Sequence, residues 1–131
     1  MKCVKCYLLT TIATLCILVL SLVPIPEMPE METVPLVDKW VHFLMYGGLL
    51  VAVWLDWFWK KCKPTVWKSV VAIVFGIVLG GVIELIQPYV MRSCEVLDFV
   101  ADAIGTVLGC LVGWLIFAIL SRRANSGKDS R

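Results

Sequence analysis

The chain has 131 residues, of which 60% are hydrophobic and only 17% are charged, and its formal net charge is +2. An ordinary soluble domain has about 45–50% apolar and about 25% charged residues. The composition therefore excludes a soluble globular protein and indicates a membrane protein.

Four apolar runs are long enough to cross a membrane. A helix rises about 1.5 Å per residue and a hydrocarbon core is about 30 Å thick, so a span needs roughly 17–25 residues. The runs cover residues 7–23, 40–59, 66–87 and 99–120. Only short loops and two tails remain, and the tail at about 122–131 is predicted to be disordered. The sequence predicts a single all-α domain over residues 1–131, a four-helix transmembrane bundle.

The lysines and arginines predict the orientation of this bundle, because cytoplasmic loops are enriched in them. The first tail, the loop after the second run and the last tail together hold all of the 12 cations except Lys39 and Arg92. Both termini are therefore predicted to be cytoplasmic, in a multi-pass membrane protein. This basic side is explained by topology, so the lipid bilayer is the expected partner and nucleic acid is not. The stretch "SLVPIPEMPE" lacks a small-x-small cleavage site, so the first run is predicted to stay as a helix.

Glycines at four-residue spacing predict how two of the spans pack. Gly76 and Gly80 lie in the third run, and Gly105, Gly109 and Gly113 lie in the fourth. Small residues at this spacing let helix backbones approach closely in lipid. We expect the third and fourth spans to cross against each other.

Ionisable residues continue the same helical stripes toward the outer surface. Four residues beyond Gly80 lies Glu84, and stepping back from Gly105 leads to Asp102 and Asp98. Consecutive spans run antiparallel, so these carboxylates are predicted to lie at one depth. The second span enters from the same side with Lys39, His42 and Tyr46, which share one helical face. Together with residues of the connecting stretch "ELIQPYVMRSCEVLDFVAD", these side chains are predicted to form one outward-facing polar pocket, because ionisable groups in a bilayer tend to face the protein interior and mark function. Its candidate ligand-binding residues are Lys39, His42, Tyr46, Glu84, Gln87, Arg92, Glu95, Asp98 and Asp102.

Structural roles are open for several of these groups. Glu95 and Asp98 stand near the start of the fourth span, where a carboxylate also serves as a helix cap. Arg92 would then neutralise them from the loop. Asp56, at the opposite end of the second span, is predicted to form an exposed ion pair with Lys60, four residues later.

The combined pattern resembles the VanZ-like membrane proteins. The similarity rests on Lys39, His42 and Tyr46 in the second span, followed by Glu84, Gln87, Arg92, Glu95, Asp98, Gly105 and Gly109 across the third and fourth. It covers about residues 38–113. The resemblance implies a four-helix bacterial membrane domain and an association with low-level resistance to teicoplanin-type glycopeptide antibiotics.

Two residues depart from the pattern of this family. Asp102 stands where the family usually has an asparagine, and it adds a potential charge to the pocket. Met91 precedes Arg92 where a glycine is common, and it alters the loop.

Three functions are compatible with the predicted pocket. The first is binding of an envelope lipid or cell-wall precursor headgroup, with Lys39, Arg92 and His42 holding an anionic group. The second is a membrane-embedded hydrolase or transferase acting on a lipid-linked envelope substrate, with His42, Glu84 and Asp102 as candidate catalytic residues. The third is a structural or regulatory subunit of envelope machinery. Binding is placed slightly ahead of catalysis, because no nucleophile motif is recognisable.

Neither a cofactor nor a dedicated metal site is expected from the sequence. A single histidine is few for zinc, and the Cys3/Cys6 pair has no second pair or histidine partner. Under the enzymatic alternative, carboxylates at one level would be able to hold a divalent cation.

Overall fold

The fold is described by a computed structural model in which residues 7–24, 36–92 and 94–129 are placed. Within these residues the chain forms four α-helices and a short 3-10 helix, with no strand. The helices are α1 (Leu8–Leu22), α2 (Val37–Trp59), α3 (Val66–Ile86) and α4 (Val96–Asp129), and the 3-10 helix is Gln87–Val90. The predicted all-α, four-helix architecture is confirmed.

Three segments within the described residues are long and apolar enough to cross a membrane, namely Val37–Trp59, Val66–Val90 and Val96–Lys128. The remaining predicted span, residues 7–23, is the shorter apolar helix α1, which has 15 residues and a length of about 22 Å. The face of the membrane toward which each terminus points stays a prediction.

The last helix is longer than the sequence predicts. α4 has 34 residues and continues to Asp129, so residues 122–129 are helical where a disordered tail is predicted. No proline interrupts this segment, and Arg122, Arg123 and Ala124 all have high helix propensity. Lys128 in the last turn also interacts favourably with the helix dipole.

The core is built around α2. Its buried side chains include Tyr46, Leu49, Leu50, Val53 and Trp54, and its most extensive contact is with α4. Many large apolar side chains on the outer faces of α1, α3 and α4 are exposed. An exposed apolar exterior of this extent is what a lipid environment requires.

The glycines of α4 face α2, contrary to the prediction that they face α3. A Cβ on Gly105 would lie 2.3 Å from the carbonyl oxygen of Phe43, and one on Gly113 would lie 2.4 Å from the Trp54 ring. The glycines of α3 do pack on α4, but against side chains: a Cβ on Gly76 would lie 2.8 Å from Thr106. Glycine spacing shows that a neighbour comes close without showing which helix supplies it.

Two ends of the bundle can be distinguished by charge. The basic end carries Lys60, Lys61, Lys63 and Lys68 around the α2–α3 connection, and the acidic end carries Glu84, Glu95 and Asp98 around the α3–α4 connection. The start of α2, with Lys39, also lies at the acidic end, since Lys39 contacts Glu95 and Asp98 there.

Asp56 is buried near the basic end, and the predicted exposed ion pair with Lys60 is wrong. Its carboxylate accepts hydrogen bonds from the backbone amides of Leu9 (3.3 Å) and Thr10 (2.9 Å) and from the Thr10 hydroxyl (2.8 Å). The first turn of a helix has amide groups without internal partners, and its dipole favours a negative charge. Asp56 therefore holds the start of α1 against α2. The Lys60 ammonium group lies 4.6 Å from the centre of the Tyr7 ring.

Candidate functional site

Three ionisable side chains from three helices meet inside the acidic end. We call His42 of α2, Glu84 of α3 and Asp102 of α4 the inner cluster. One potential ligand atom from each lies within 4.8 Å of the other two, and the exposed fractions of the residues are 2%, 4% and 0%. The His42 Nδ1 and Asp102 Oδ1 atoms are 2.9 Å apart, at hydrogen-bond distance. The convergence predicted from helical stripes is present for these three residues.

Helix packing places the inner cluster. The buried residues of α3 follow a helical stripe that includes Ala72, Gly76, Gly80 and Glu84. A Cβ on Gly80 would lie 2.9 Å from Asp102 Oδ2, so the absence of a side chain there gives the aspartate room. Glu84, one turn farther along α3, is thereby brought to the level of Asp102.

Lys39, Glu95 and Asp98 form a second layer nearer the exterior, which we call the outer cluster. Lys39 Nζ forms an ion pair with Glu95 Oε2 and lies 3.1 Å from Asp98 Oδ1. The exposed side-chain fractions are 20% for Lys39, 46% for Glu95 and 3% for Asp98. These contacts join the start of α2 to the start of α4. Lys39 is therefore engaged by two carboxylates within the protein.

Glu84 and Gln87 connect the two layers. The backbone amide of Glu95 donates to Glu84 Oε2 at 3.2 Å, so the α3 carboxylate interacts with the residue preceding α4. The Gln87 amide nitrogen donates to the Ser21 carbonyl at 3.4 Å or, with the amide rotated by half a turn, to both Glu84 oxygens at 3.3 Å. The carboxylate is the stronger acceptor because it is charged. Gln87 therefore belongs to the same polar network.

Tyr46 lies one helical turn from His42 and is completely buried. Within the described part of the chain, its hydroxyl oxygen and Asp102 Oδ2 are buried without a hydrogen-bond partner. Two buried polar atoms at the inner cluster therefore lack a hydrogen-bond partner, which is energetically unfavourable away from water.

Arg92 is the predicted site residue that the structure places elsewhere. Its Nη1 atom donates to the carbonyl oxygens of Leu20 at 2.8 Å and Val23 at 3.4 Å. These are among the last carbonyl groups of α1, which have no partner within the helix. The described contacts of Arg92 therefore cap α1 and include neither Glu95 nor Asp98.

Two buried polar residues near the site are absent from the predicted set. The Thr106 hydroxyl donates to the Asp102 carbonyl at 2.7 Å, and Ser21 supplies the carbonyl oxygen next to Gln87. Thr106 follows Asp102 by four residues and continues the stripe of Asp98, so helical periodicity would have identified it. Ser21 has no comparable signal in the sequence.

Cys94 lies outside the spans, close to the inner cluster. Desolvation raises the pKa of its thiol, and the neighbouring Glu84 carboxylate acts in the same direction. A raised pKa keeps the thiol protonated at neutral pH and weakens it as a nucleophile. The site therefore has acid–base groups but no activated cysteine.

An apolar groove opens beside the outer cluster. Its volume is about 390 Å³. It lies between α2 and α4 and is lined by Leu36, Lys39, Trp40, Phe43, Ala101, Ile104 and Leu108. Lys39 therefore borders both the outer cluster and the apolar groove. A groove of this volume is large enough to hold part of a hydrocarbon chain.

Comparison with known proteins identifies the family of the chain. No curated protein and no solved structure matches the chain. The model of the family described as VanZ/LLP1 matches residues 7–120, a range that contains every residue of the inner and outer clusters. The chain belongs to the VanZ/LLP1 family of membrane proteins.

Proposed function

We propose that this protein binds the headgroup of an envelope lipid or lipid-linked cell-wall precursor at the acidic end of its bundle. The observation that carries the proposal is the convergence of His42, Glu84 and Asp102 from three separate helices. Burying such groups is unfavourable, so a membrane protein that retains them together is expected to use them.

The unpartnered atoms favour a polar ligand. Tyr46 Oη is a potential donor and Asp102 Oδ2 an acceptor, and a sugar or amide group would supply the complementary partner for each. The outer cluster lies between this position and the exterior. A headgroup would first meet the exposed side chain of Glu95 and the partly exposed Lys39.

The groove beside Lys39 supports a lipid-linked ligand. All of its lining residues except Lys39 are apolar, so a hydrocarbon chain would pack there while the attached headgroup stayed at the outer cluster. An anionic group on the ligand would compete with Glu95 for Lys39. The bacterial inner membrane and glycopeptide resistance, both implied by resemblance to VanZ-like proteins, belong to this proposal.

Photocrosslinking tests the binding proposal. A photoreactive amino acid at position 104, in the groove, is expected to capture a lipid-linked envelope molecule from cells, identified by mass spectrometry. A photoreactive residue at exposed position 85, on α3 at the same acidic end, serves as the matched control for bulk lipid. Capture of the same lipids in the same proportions at both positions would contradict a specific site.

A resistance assay addresses the cellular role. Cells expressing wild type, Glu84→Gln or His42→Ala at matched protein levels are compared with an empty vector for teicoplanin susceptibility and envelope-lipid profile. We expect wild type alone to lower susceptibility. If all four strains behave alike, the resistance role is wrong for this chain.

Catalysis is the second candidate, favoured by the contact between His42 and Asp102. A carboxylate at the Nδ1 atom of a histidine fixes the ring orientation and its tautomer, which leaves Nε2 to accept a proton. Water or an alcohol group activated in this way would attack a lipid-linked phosphate or ester. The candidate reaction is therefore headgroup hydrolysis or transfer.

Purified protein distinguishes the two candidates. Incubation with polyprenyl-phosphate-linked precursor or with phospholipid is expected to give product only if the protein is an enzyme, and His42→Ala is then expected to abolish turnover. Lys63→Gln, which changes an exposed charge at the basic end of the bundle, is the control. Saturable binding without product formation would support the binding role and not catalysis.

A further inference from the structure

We propose that His42, Glu84 and Asp102 bind one divalent transition-metal ion, with Zn²⁺ as the preferred metal. The ion would occupy Tyr46 Oη and Asp102 Oδ2, the atoms that the proposed function offers to a headgroup, so a headgroup would then meet the bound ion. Metal binding is measurable whether or not a lipid binds, so the two proposals are tested separately. A metal site here revises the expectation from the sequence that a single histidine is insufficient.

The geometry of the inner cluster suits a metal. Zn²⁺ binds histidine nitrogen and carboxylate oxygen at about 2.0–2.2 Å, so two of its ligand atoms lie roughly 3–3.5 Å apart. The His42 Nδ1 and Asp102 Oδ1 atoms are 2.9 Å apart, and a Glu84 oxygen lies within 4.8 Å of the other ligand atoms. Small side-chain rotations would bring all three onto one ion.

Charge balance gives a second reason. Two carboxylates, Glu84 and Asp102, are buried together with one histidine. Of the described cations at the acidic end, Lys39 is paired with Glu95 and Asp98, and Arg92 donates to a carbonyl of α1. A divalent cation would neutralise both carboxylates while the imidazole stayed neutral, which offsets the cost of burying like charges.

Unpartnered atoms give a third reason, and one of them belongs to Tyr46, which is outside the cluster and shares one face of α2 with His42. Asp102 is completely buried, and its Oδ2 atom has no hydrogen-bond partner among the described residues. Tyr46, also completely buried, has a free hydroxyl group on the same side of α2 as His42. Bidentate binding by Asp102 and a contact from Tyr46 would satisfy both atoms.

A second trio, formed by Asp38, His42 and Asp98, is spaced similarly but is a weaker candidate. Asp98 is already paired with Lys39 at 3.1 Å, and the lysine would repel an incoming cation. Asp38 is exposed to solvent. Among the residues that the structure describes, no lysine or arginine forms an ion pair with the inner cluster, which is therefore the assigned site.

The choice of metal follows from the ligands. Carboxylates alone suit Mg²⁺ or Ca²⁺, but an imidazole nitrogen favours a transition metal. Zn²⁺ binds N and O ligands more tightly than Mn²⁺, and unlike Cu²⁺, which prefers a square-planar or tetragonal arrangement, it suits a tetrahedral site made of three protein ligands and one further group. Three protein ligands would leave one coordination position for water or for a ligand group, as in catalytic zinc sites.

Metal analysis of purified protein tests the site. Full-length protein with Cys3, Cys6 and Cys94 replaced by serine, which removes the paired thiols and the thiol beside the inner cluster, is stripped with chelator and dialysed against Zn²⁺. We expect about one zinc per chain by elemental analysis. The Co²⁺-substituted protein should show visible bands without a thiolate-to-cobalt charge-transfer band. If the protein does not retain zinc under these conditions, the proposal is overturned, whatever the ligand variants show.

Variants then locate the ion. We expect Glu84→Gln and Asp102→Asn each to weaken Zn²⁺ binding by at least about tenfold. Glu95→Gln is the matched control, because it removes a carboxylate of the outer cluster and should leave the affinity unchanged. Gly80→Ala keeps every ligand but displaces Asp102 Oδ2, and it should also weaken binding. Equal affinity in wild type and in correctly folded Glu84→Gln and Asp102→Asn would overturn the assignment.

Discussion

Gly109 of α4 lies against the backbone of Gly47 of α2, so that a Cβ on Gly109 would be 2.4 Å from the Gly47 carbonyl oxygen and 2.6 Å from its Cα. The obstructing atoms belong to backbone, which cannot rotate aside as a side chain can. The contact between α2 and α4 therefore depends on the absence of a side chain at position 109. This contact also holds His42 and Asp102 at one level.

Replacing Gly109 with alanine should separate these two helices. We expect Gly109→Ala to lower the free energy of unfolding by about 1–3 kcal/mol, the usual cost of overpacking. Unfolding in detergent by heat or by denaturing surfactant measures the change.

Gly48→Ala is the matched control, because a Cβ there meets nothing within 4 Å. Alanine is favoured over glycine inside a helix by about 1 kcal/mol, so Gly48→Ala should be neutral or stabilising. An equal loss of stability in the two variants would contradict close packing at Gly109.

The sequence predicts the positions of the helices better than it predicts which helices contact each other, and α4 illustrates both points. Hydrophobicity and length identify three candidate spans, since burial in lipid imposes them, but they miss the end of α4, which continues to Asp129 instead of ending near residue 120. Four-residue spacing also places His42, Glu84 and Asp102 correctly, because antiparallel helices bring such stripes to one depth. Gly105 and Gly109, however, reveal only that another backbone comes close. Whether α2 or α3 supplies it depends on how all four helices pack.

Asp56 and Arg92 show why local charge patterns fail. Lys60 lies four residues after Asp56, and Glu95 lies three residues after Arg92, so local pairs are plausible in both cases. The actual partners are backbone groups at the two ends of α1. Unpaired amide and carbonyl groups of a helix end compete strongly for charged side chains inside a membrane. Which helix end lies beside a given charged residue depends on the tertiary fold, so the local sequence does not predict it.

Asp56 and Thr10 should be energetically coupled. Asp56→Asn is expected to destabilise the protein by about 1–3 kcal/mol, because it removes the charge that accepts three hydrogen bonds. In a double-mutant cycle with Thr10→Val, a coupling energy of about 1 kcal/mol is expected. The corresponding cycle between Asp56 and Lys60 should give a coupling near zero. A larger coupling to Lys60 than to Thr10 would restore the local ion pair.

Arg92 is expected to hold α1 in place. Arg92→Ala should leave the carbonyl groups of Leu20 and Val23 without this donor and speed amide hydrogen exchange in the last turn of α1. Exchange measured by mass spectrometry would detect it, with α3 as the internal reference. Arg92→Lys should give an intermediate effect. Unchanged exchange in α1, together with lost lipid crosslinking at position 104, would instead indicate a ligand-binding role.

Lys39 should be needed chiefly to compensate the buried carboxylate of Asp98. Lys39→Met keeps the apolar stem but removes the cation, which leaves Asp98 buried and charged. We expect a loss of stability of about 2–4 kcal/mol, since breaking a buried ion pair costs more than breaking an exposed one. Unfolding in detergent measures this loss.

Two double variants identify which carboxylate is responsible. Lys39→Met with Asp98→Asn should recover most of the lost stability, because no buried charge is left unpaired. Lys39→Met with Glu95→Gln should recover little, since the Glu95 side chain is 46% exposed and water already solvates it. Equal recovery in both would mean that Lys39 acts through surface electrostatics. The difference in recovered stability between the two double variants therefore reports the difference in burial between Asp98 and Glu95.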